Sequence, residues 1–332
     1  MMISLSMGSF NFRLTANFIA TRGILKTYLK NIKIKWYNRK MDSKYFEYYS
    51  WDTSPIPRIT HLKFDNNFDR KIDIPDTVTH LIFGFNYNQP NTILPPSITH
   101  LTFGFKYNQP VILPPAITHL TFGIYYNQPT HLPSTITHLI FADLYNQPVI
   151  LPPSITHLTF GFNYNQPTHL PPRCTHLTFG LNYDQPTILP PLTTHLTFGW
   201  NYNQPTILPP NITHLTFGVN YNQPTTLPSN ITHLTFGDHY NQPTTLPPNI
   251  THLTFGKNYD QPTILPPDLE EFILIKKRNY EQYKEALLNS PYLIKTNIKD
   301  KDIRRQVAVN KHNLNKISIV LTKLCLSLIN NN

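Results

Sequence analysis

Residues Ile155–Pro172 read ITHLTFGFNYNQPTHLPP, and the same phrase recurs with small changes along most of the chain. A histidine follows Thr and precedes Leu at positions 61, 80, 100, 119, 138, 157, 176, 195, 214, 233 and 252. The step is 19 residues, with one step of 20 where Asn91 is the extra residue. A fixed internal period decides the architecture before local propensity does. Aligned on the histidine, the unit is I-T-H-L-T-F-G-x-N-Y-N-Q-P-T-x-L-P-P-x, and positions 1 to 19 below refer to it.

The first half of the unit reads as a strand. Ile, Leu and Phe at positions 1, 4 and 6 are apolar, and the last two alternate with His and Thr at positions 3 and 5. That is the two-residue period of a pleated strand with one buried face. The strand runs into Gly, as at Gly104 and Gly161, where a missing side chain permits a close turn. The second half cannot form a helix. Pro at positions 13, 17 and often 18, such as Pro167, Pro171 and Pro172, removes backbone donors and fixes φ, so this return runs extended. Leu170 and its equivalents anchor it inward.

One such coil cannot bury its own apolar face, but stacked coils can. The expected fold is a parallel β-solenoid of leucine-rich-repeat type, with Leu and Phe columns inside. Eleven strands at ~4.8 Å spacing make a sheet on the order of 50 Å long. The pattern I-x-x-L-x-F is close to the leucine-rich template, with a Pro-rich return in place of the helix.

Phrases such as LTFGFNYNQP over Leu158–Pro167, followed by Leu170 and two prolines, resemble the FNIP repeat of slime moulds and giant amoeba viruses. The resemblance covers about residues 59–275. Its first copy departs most, with Asp65, Phe68, Asp69, Arg70 and Lys71 in place of Gly and Tyr-Asn-Gln-Pro, and reads as a capping repeat. The resemblance implies a protein–protein interaction role. Some viral members carry an amino-terminal F-box that recruits a ubiquitin ligase, but residues 1–58 hold no convincing version of it. A substrate-recognition subunit and a passive surface-binding rod are the alternatives to an interaction scaffold.

Four segments follow: a basic extension over 1–41, an amino-terminal cap over 42–58, the solenoid over 59–267, and a terminal strand with helical cap and tail over 268–332. Residues 268–275 keep the register, with Phe272 where Leu is expected. Asn279 to Asn289 reads as a short helix over the open sheet edge, which would otherwise invite strand addition. Residues 1–41 are a targeting-like segment, a poorly ordered extension, or a stretch upstream of a translation start at Met41.

Net charge is +10, but it is carried by the ends. Residues 1–41 contribute eight basic side chains and no acid, whereas residues 42–267 hold eight basic and eleven acidic ones. A nucleic-acid groove needs Lys and Arg along its body, so none is expected on the array. Neither a transmembrane run nor a phosphate-binding loop nor a nucleophile elbow is present. No enzyme activity, cofactor or metal is expected. Cys174 and Cys325 imply no disulfide framework, and Cys174 reads as a buried, inert thiol. The sequons at Asn211, Asn230 and Asn249 fall out of the consensus and do not argue for secretion. A cytoplasmic monomer with a protein partner is the expectation.

Three columns invite a functional reading. Histidine at position 3 faces away from the Leu and Phe core; a single file of imidazoles offers poor convergence for a metal, and a stacked ladder is expected. Tyr-Asn-Gln-Pro reads as structure, with amides joining coils and Tyr keeping its polar tip outside. The position after Gly differs from coil to coil: Phe85, Phe105, Ile124, Asp143, Phe162, Leu181, Trp200, Val219, Asp238 and Lys257. Large apolar side chains at an otherwise nearly fixed strand exit are candidate partner-binding residues.

Overall fold

The computed structural model describes residues 4–7, 10–13, 45–275 and 277–330. Two units separate at residue 45. In the first, Ser4–Met7 pairs antiparallel with Phe10–Arg13; the choice between a targeting segment and a start at Met41 lies outside the described residues.

The second unit is built on one parallel, 14-stranded sheet. Phe46–Tyr48 opens it, and eleven coil strands follow from His61–Phe64 to His252–Phe255. Glu271–Leu274 adds the expected twelfth coil strand, and the two-residue Lys295–Thr296 closes the far edge. Register follows the repeat, so that His176 stands between His157 and His195, and Leu177 between Leu158 and Leu196. Identical residues stack because every coil has the same length. Where one coil is longer, the extra Asn91 adopts φ 55°, a left-handed conformation that Asn tolerates better than most residues.

The coil strands are only three or four residues long, so bonds between coils continue beyond them. The N–H groups of Thr118 and His119 both donate to Thr99 O, at 2.8 and 3.0 Å. Beyond the strand, Phe103 N donates forward to Thr121 O and Asn182 N donates back to Phe162 O. The interior is built of aligned columns, with Ile155 and its equivalents at the strand entry among them. Leu158, Phe160 and Tyr164 of one coil are all buried, as are their equivalents in coil after coil. Neighbouring phenylalanines stack at 5.7–5.8 Å, as in Phe160–Phe179 and Phe179–Phe198, and each ring also packs on the Tyr of its own coil at about 4.4 Å. Offset stacking of this kind adds to simple area burial.

Both ends keep this interior covered. Phe68 takes the Tyr position in the capping coil and stacks on Phe64 at 4.4 Å. At the other end Phe272 meets Phe255 edge-on, and Tyr283 and Leu287 are buried over the last coil. They come from the expected short helix, which is a 3-10 turn over Lys277–Tyr283 running into Lys284–Leu288. Residues 292–332, whose pattern left a helix or a tail open, contain a helix over Lys301–Asn330. Asn310 fixes it by donating to Ser290 O and Leu293 O at 3.0 and 2.9 Å.

The glycines work differently from the expected turn. A Cβ built on Gly180 would lie 1.7 Å from Gly161 O, and one on Gly199 would lie 1.7 Å from Gly180 O. It is the preceding coil that leaves no room. Glycine therefore holds position 7, and Ala142 is its one exception among the ten regular coils from His80 to Tyr259.

Candidate functional site

The open face of the sheet is a ladder of histidines. Successive rings stack at 4.1–4.2 Å between centroids and within about 15° of parallel, from His61 to His252. Each Nδ1 lies 2.9 Å from the hydroxyl of the preceding Thr, as in Thr194–His195 and Thr213–His214. Those hydroxyls also lie 3.1–3.3 Å from the Thr carbonyl of the coil before. Thr therefore anchors the ring sideways while the stack anchors it lengthwise. Burial, and then the neighbouring imidazoles His233 and His195, push His214 down to about 4. Burial also lowers His195 and His233. These three rings are held neutral at physiological pH. No three His, Cys, Asp or Glu side chains among the described residues converge on a metal position.

The Tyr-Asn-Gln-Pro segment joins coils, as its amides suggested. Asn165 Oδ1 accepts from Asp184 N at 3.0 Å and from Gln185 Nε2 at 3.0 Å, and the pattern passes to the next coil through Asp184 Oδ1. A second amide ladder at position 9 links Asn163, Asn182, Asn201 and Asn220 at 3.0–3.1 Å. The tyrosine differs from expectation, because its tip is inside. Tyr202 and Tyr221 are fully buried and their hydroxyls meet Thr206 and Thr225 at 2.5 Å. Those threonines stand at position 14 and donate onward to the Gln carbonyl of the same coil. The ring is too deep in the stack for its hydroxyl to reach water, so the coil supplies a polar partner of its own.

Two coils lack that partner. Val111 and Val149 replace the threonine, and the buried Tyr107 and Tyr145 hydroxyls have no hydrogen-bond partner among the described residues. An unmade hydrogen bond at a buried hydroxyl is costly. Val149→Thr supplies the missing group at nearly the same volume. A gain of about 1 kcal/mol is expected, read as a rise of roughly 2–4 °C in a thermal melt.

The candidate binding residues at position 8 are brought into one column at the strand exit. Phe85 and Phe105 stack at 4.4 Å, and the Lys106 ammonium lies 5.9 Å from the Phe85 ring centre. Ile124, Phe162, Leu181 and Trp200 are half-buried, leaving part of each side chain on the surface. Two positions differ: Val219 and Asp238 are buried, at 5% and 4% exposure. Asp238 is 3.6 Å from Lys257 of the next coil, so these two candidates pair with each other. Burial raises the Asp143 carboxyl to about 6, against the opposing pull of the Phe162 backbone N–H. Cys174 is buried, as read from the sequence, and burial pushes its thiol up to about 12.

A further column escaped the sequence reading. Isoleucines at position 15, such as Ile112 and Ile207, are over 90% exposed on the Pro-rich return. Their signal was present: an apolar residue between prolines, in a segment with a separate inward anchor at position 16.

Comparison with known proteins agrees with this geometry. A family model described as FNIP Repeat matches ten overlapping stretches, from 57–86 through 126–163 and 164–201 to 240–277. No curated protein matches the chain. Among solved structures the chain is similar to CroV588, described as a novel circular LRR protein, at 42% identity and a TM-score of 0.57. That likeness covers 65% of this chain and 37% of CroV588, so the chain spans well under half of that protein's length. No helix among the described residues is long and apolar enough to cross a membrane.

Proposed function

This chain belongs to the FNIP repeat family, and from that premise we propose that it is a non-catalytic scaffold that holds a protein partner along the strand-exit edge of its sheet. The observation that carries the reading is the contrast between neighbouring columns. Positions 3 to 7 and 10 to 13 are nearly fixed from coil to coil, and the His, Phe, Tyr, Asn and Gln among them bond or stack to a neighbouring coil. Position 8 varies in size and charge, from Phe162 and Trp200 to Asp238 and Lys257. Half-buried aromatic side chains held rigidly by their surroundings are the groups that contribute most to protein interfaces, because little entropy is lost on binding.

Phe162 and Trp200 are the strongest anchors, since they are large, rigid and two coils apart on the same edge. Phe85 and Phe105 form a second apolar spot. Val219 and Asp238 take the part of spacers. Replacing Phe162 and Trp200 by Ala together is expected to weaken partner binding at least about tenfold, with the thermal midpoint little changed. Binding that survives the double replacement but falls when His157 and His176 are replaced would favour the second reading, a passive rod that uses the regular His and Thr face. The measurement is a partner titration against wild type and both variants.

A further inference from the structure

Six isoleucines stand almost wholly in water: Ile93, Ile112, Ile150, Ile188, Ile207 and Ile264, at 85–93% exposure. All occupy position 15 of their coils, so the solenoid places them in one file on the Pro-rich return. Exposed prolines flank the file at positions 13 and 18. From position 13 to position 18, no coil between Pro90 and Pro267 carries an acidic or basic side chain apart from His131 and His169. Single exposed aliphatic side chains are ordinary, but an uncharged file of this length is not.

The order of residues in the file carries further information. Starting at Ile93, position 15 reads Ile93, Ile112, His131, Ile150, His169, Ile188, Ile207. The series is the same in both directions about Ile150. An isologous dimer requires that symmetry, because residue i of one copy meets residue j of the other and the reverse. Two files laid antiparallel about an axis at Ile150 bring Ile93 to Ile207, Ile112 to Ile188 and His131 to His169.

We propose that this file is the interface of a homodimer, with the second copy antiparallel and the two-fold axis passing at Ile150. The pitch favours a second copy over an unrelated partner. Both files share the same ~4.8 Å coil spacing, so side chains stay in register over seven coils, and another fold has no such pitch. The area is sufficient. Each exposed isoleucine offers on the order of 100 Å² of side chain, and with the flanking prolines the seven coils approach the ~800 Å² that one side of a stable interface buries. No charge opposes the approach. The proposal departs from the monomer expected from the sequence. It uses a different surface from the strand-exit column, so either can fail alone.

Sedimentation of the full chain across the micromolar range tests it. The expected result is a concentration-dependent monomer–dimer equilibrium. Ile150→Asp puts two carboxylates at the axis and should raise the dissociation constant about 30-fold or more. Ile112→Asp and Ile188→Lys should each weaken the dimer. Combined in one chain they should restore it, because each new acid then meets a new base of the other copy. All three sites are over 90% exposed, and an unchanged thermal midpoint in dilute solution checks that the variants fold. A monomer at every concentration would overturn the proposal. So would a dimer that Ile150→Asp leaves intact, or a combined variant that is no tighter than its singles.

Discussion

The thermal midpoint of this chain should fall by roughly 5 °C or more between pH 7 and pH 4.5, before general acid denaturation begins. The cause is the histidine ladder. Rings 4.1–4.2 Å apart cannot carry charge together cheaply. Burial first, and the neighbouring imidazoles second, hold His214 at about 4, and His195 and His233 are also lowered. In the unfolded chain each ring titrates near ~6.5. Between those values the unfolded state binds more protons than the folded one, so stability drops as pH falls. With a discount for water at the open face, the central rings together cost about 2 kcal/mol by pH 4.5. Asp143 acts in the other direction, because its folded value of about 6 makes the folded state the better proton acceptor there. It is one group against several, so the sign of the whole is set by the ladder. Glu271, which takes the histidine register beside His252, relieves only the last coils. Glu270 and Glu271 raise His233 against its lowering.

Gly199→Val should destabilise the array by at least about 3 kcal/mol, above the usual range for overpacking. The group in the way is backbone. A Cβ at residue 199 would sit 1.7 Å from Gly180 O and 2.7 Å from the carbonyl carbon. Side chains can turn aside, but this carbonyl is fixed by its own coil. Relief requires adjacent coils to separate, and that breaks the Phe–Phe and Tyr–Tyr stacks on either side of residue 199. Each coil touches only its neighbours, so a fault in the middle splits the array into two weaker cooperative blocks. The denaturant transition should broaden or become biphasic, with a lower midpoint. Ala142 shows that one coil accommodates a methyl, which is why valine is the informative replacement.

Much of this architecture could be read from one coil repeated. Leu158 and Phe160 alternate with His157 and Thr159, and that alone assigns the inside and outside of the sheet. Equal coil lengths then force identical residues into ladders, including the amide columns of Asn163 and Asn165. What one coil cannot show is the distance to the next. The need for Gly199 lies in Gly180 O, and the buried Tyr202 hydroxyl depends on Thr206, four residues along the return. The significance of position 15 lies in exposure, which depends on Leu170 and its equivalents taking the inward role. The helix over Lys301–Asn330 is anchored by Asn310, a polar residue in a weakly patterned segment, so periodicity gave little sign of it.

The central claim is that the repeated histidine is architecture, a stacked column in which burial, joined at His214 and His233 by neighbouring imidazoles, keeps the rings of His195, His214 and His233 neutral. Titration of the histidine ring resonances in the folded chain tests it most directly. The account predicts that the rings of His195, His214 and His233 titrate below the ordinary imidazole value, His214 near 4, with folded signals lost as they charge. Central rings that titrate at or above ~6.5 in a chain that stays folded would contradict it.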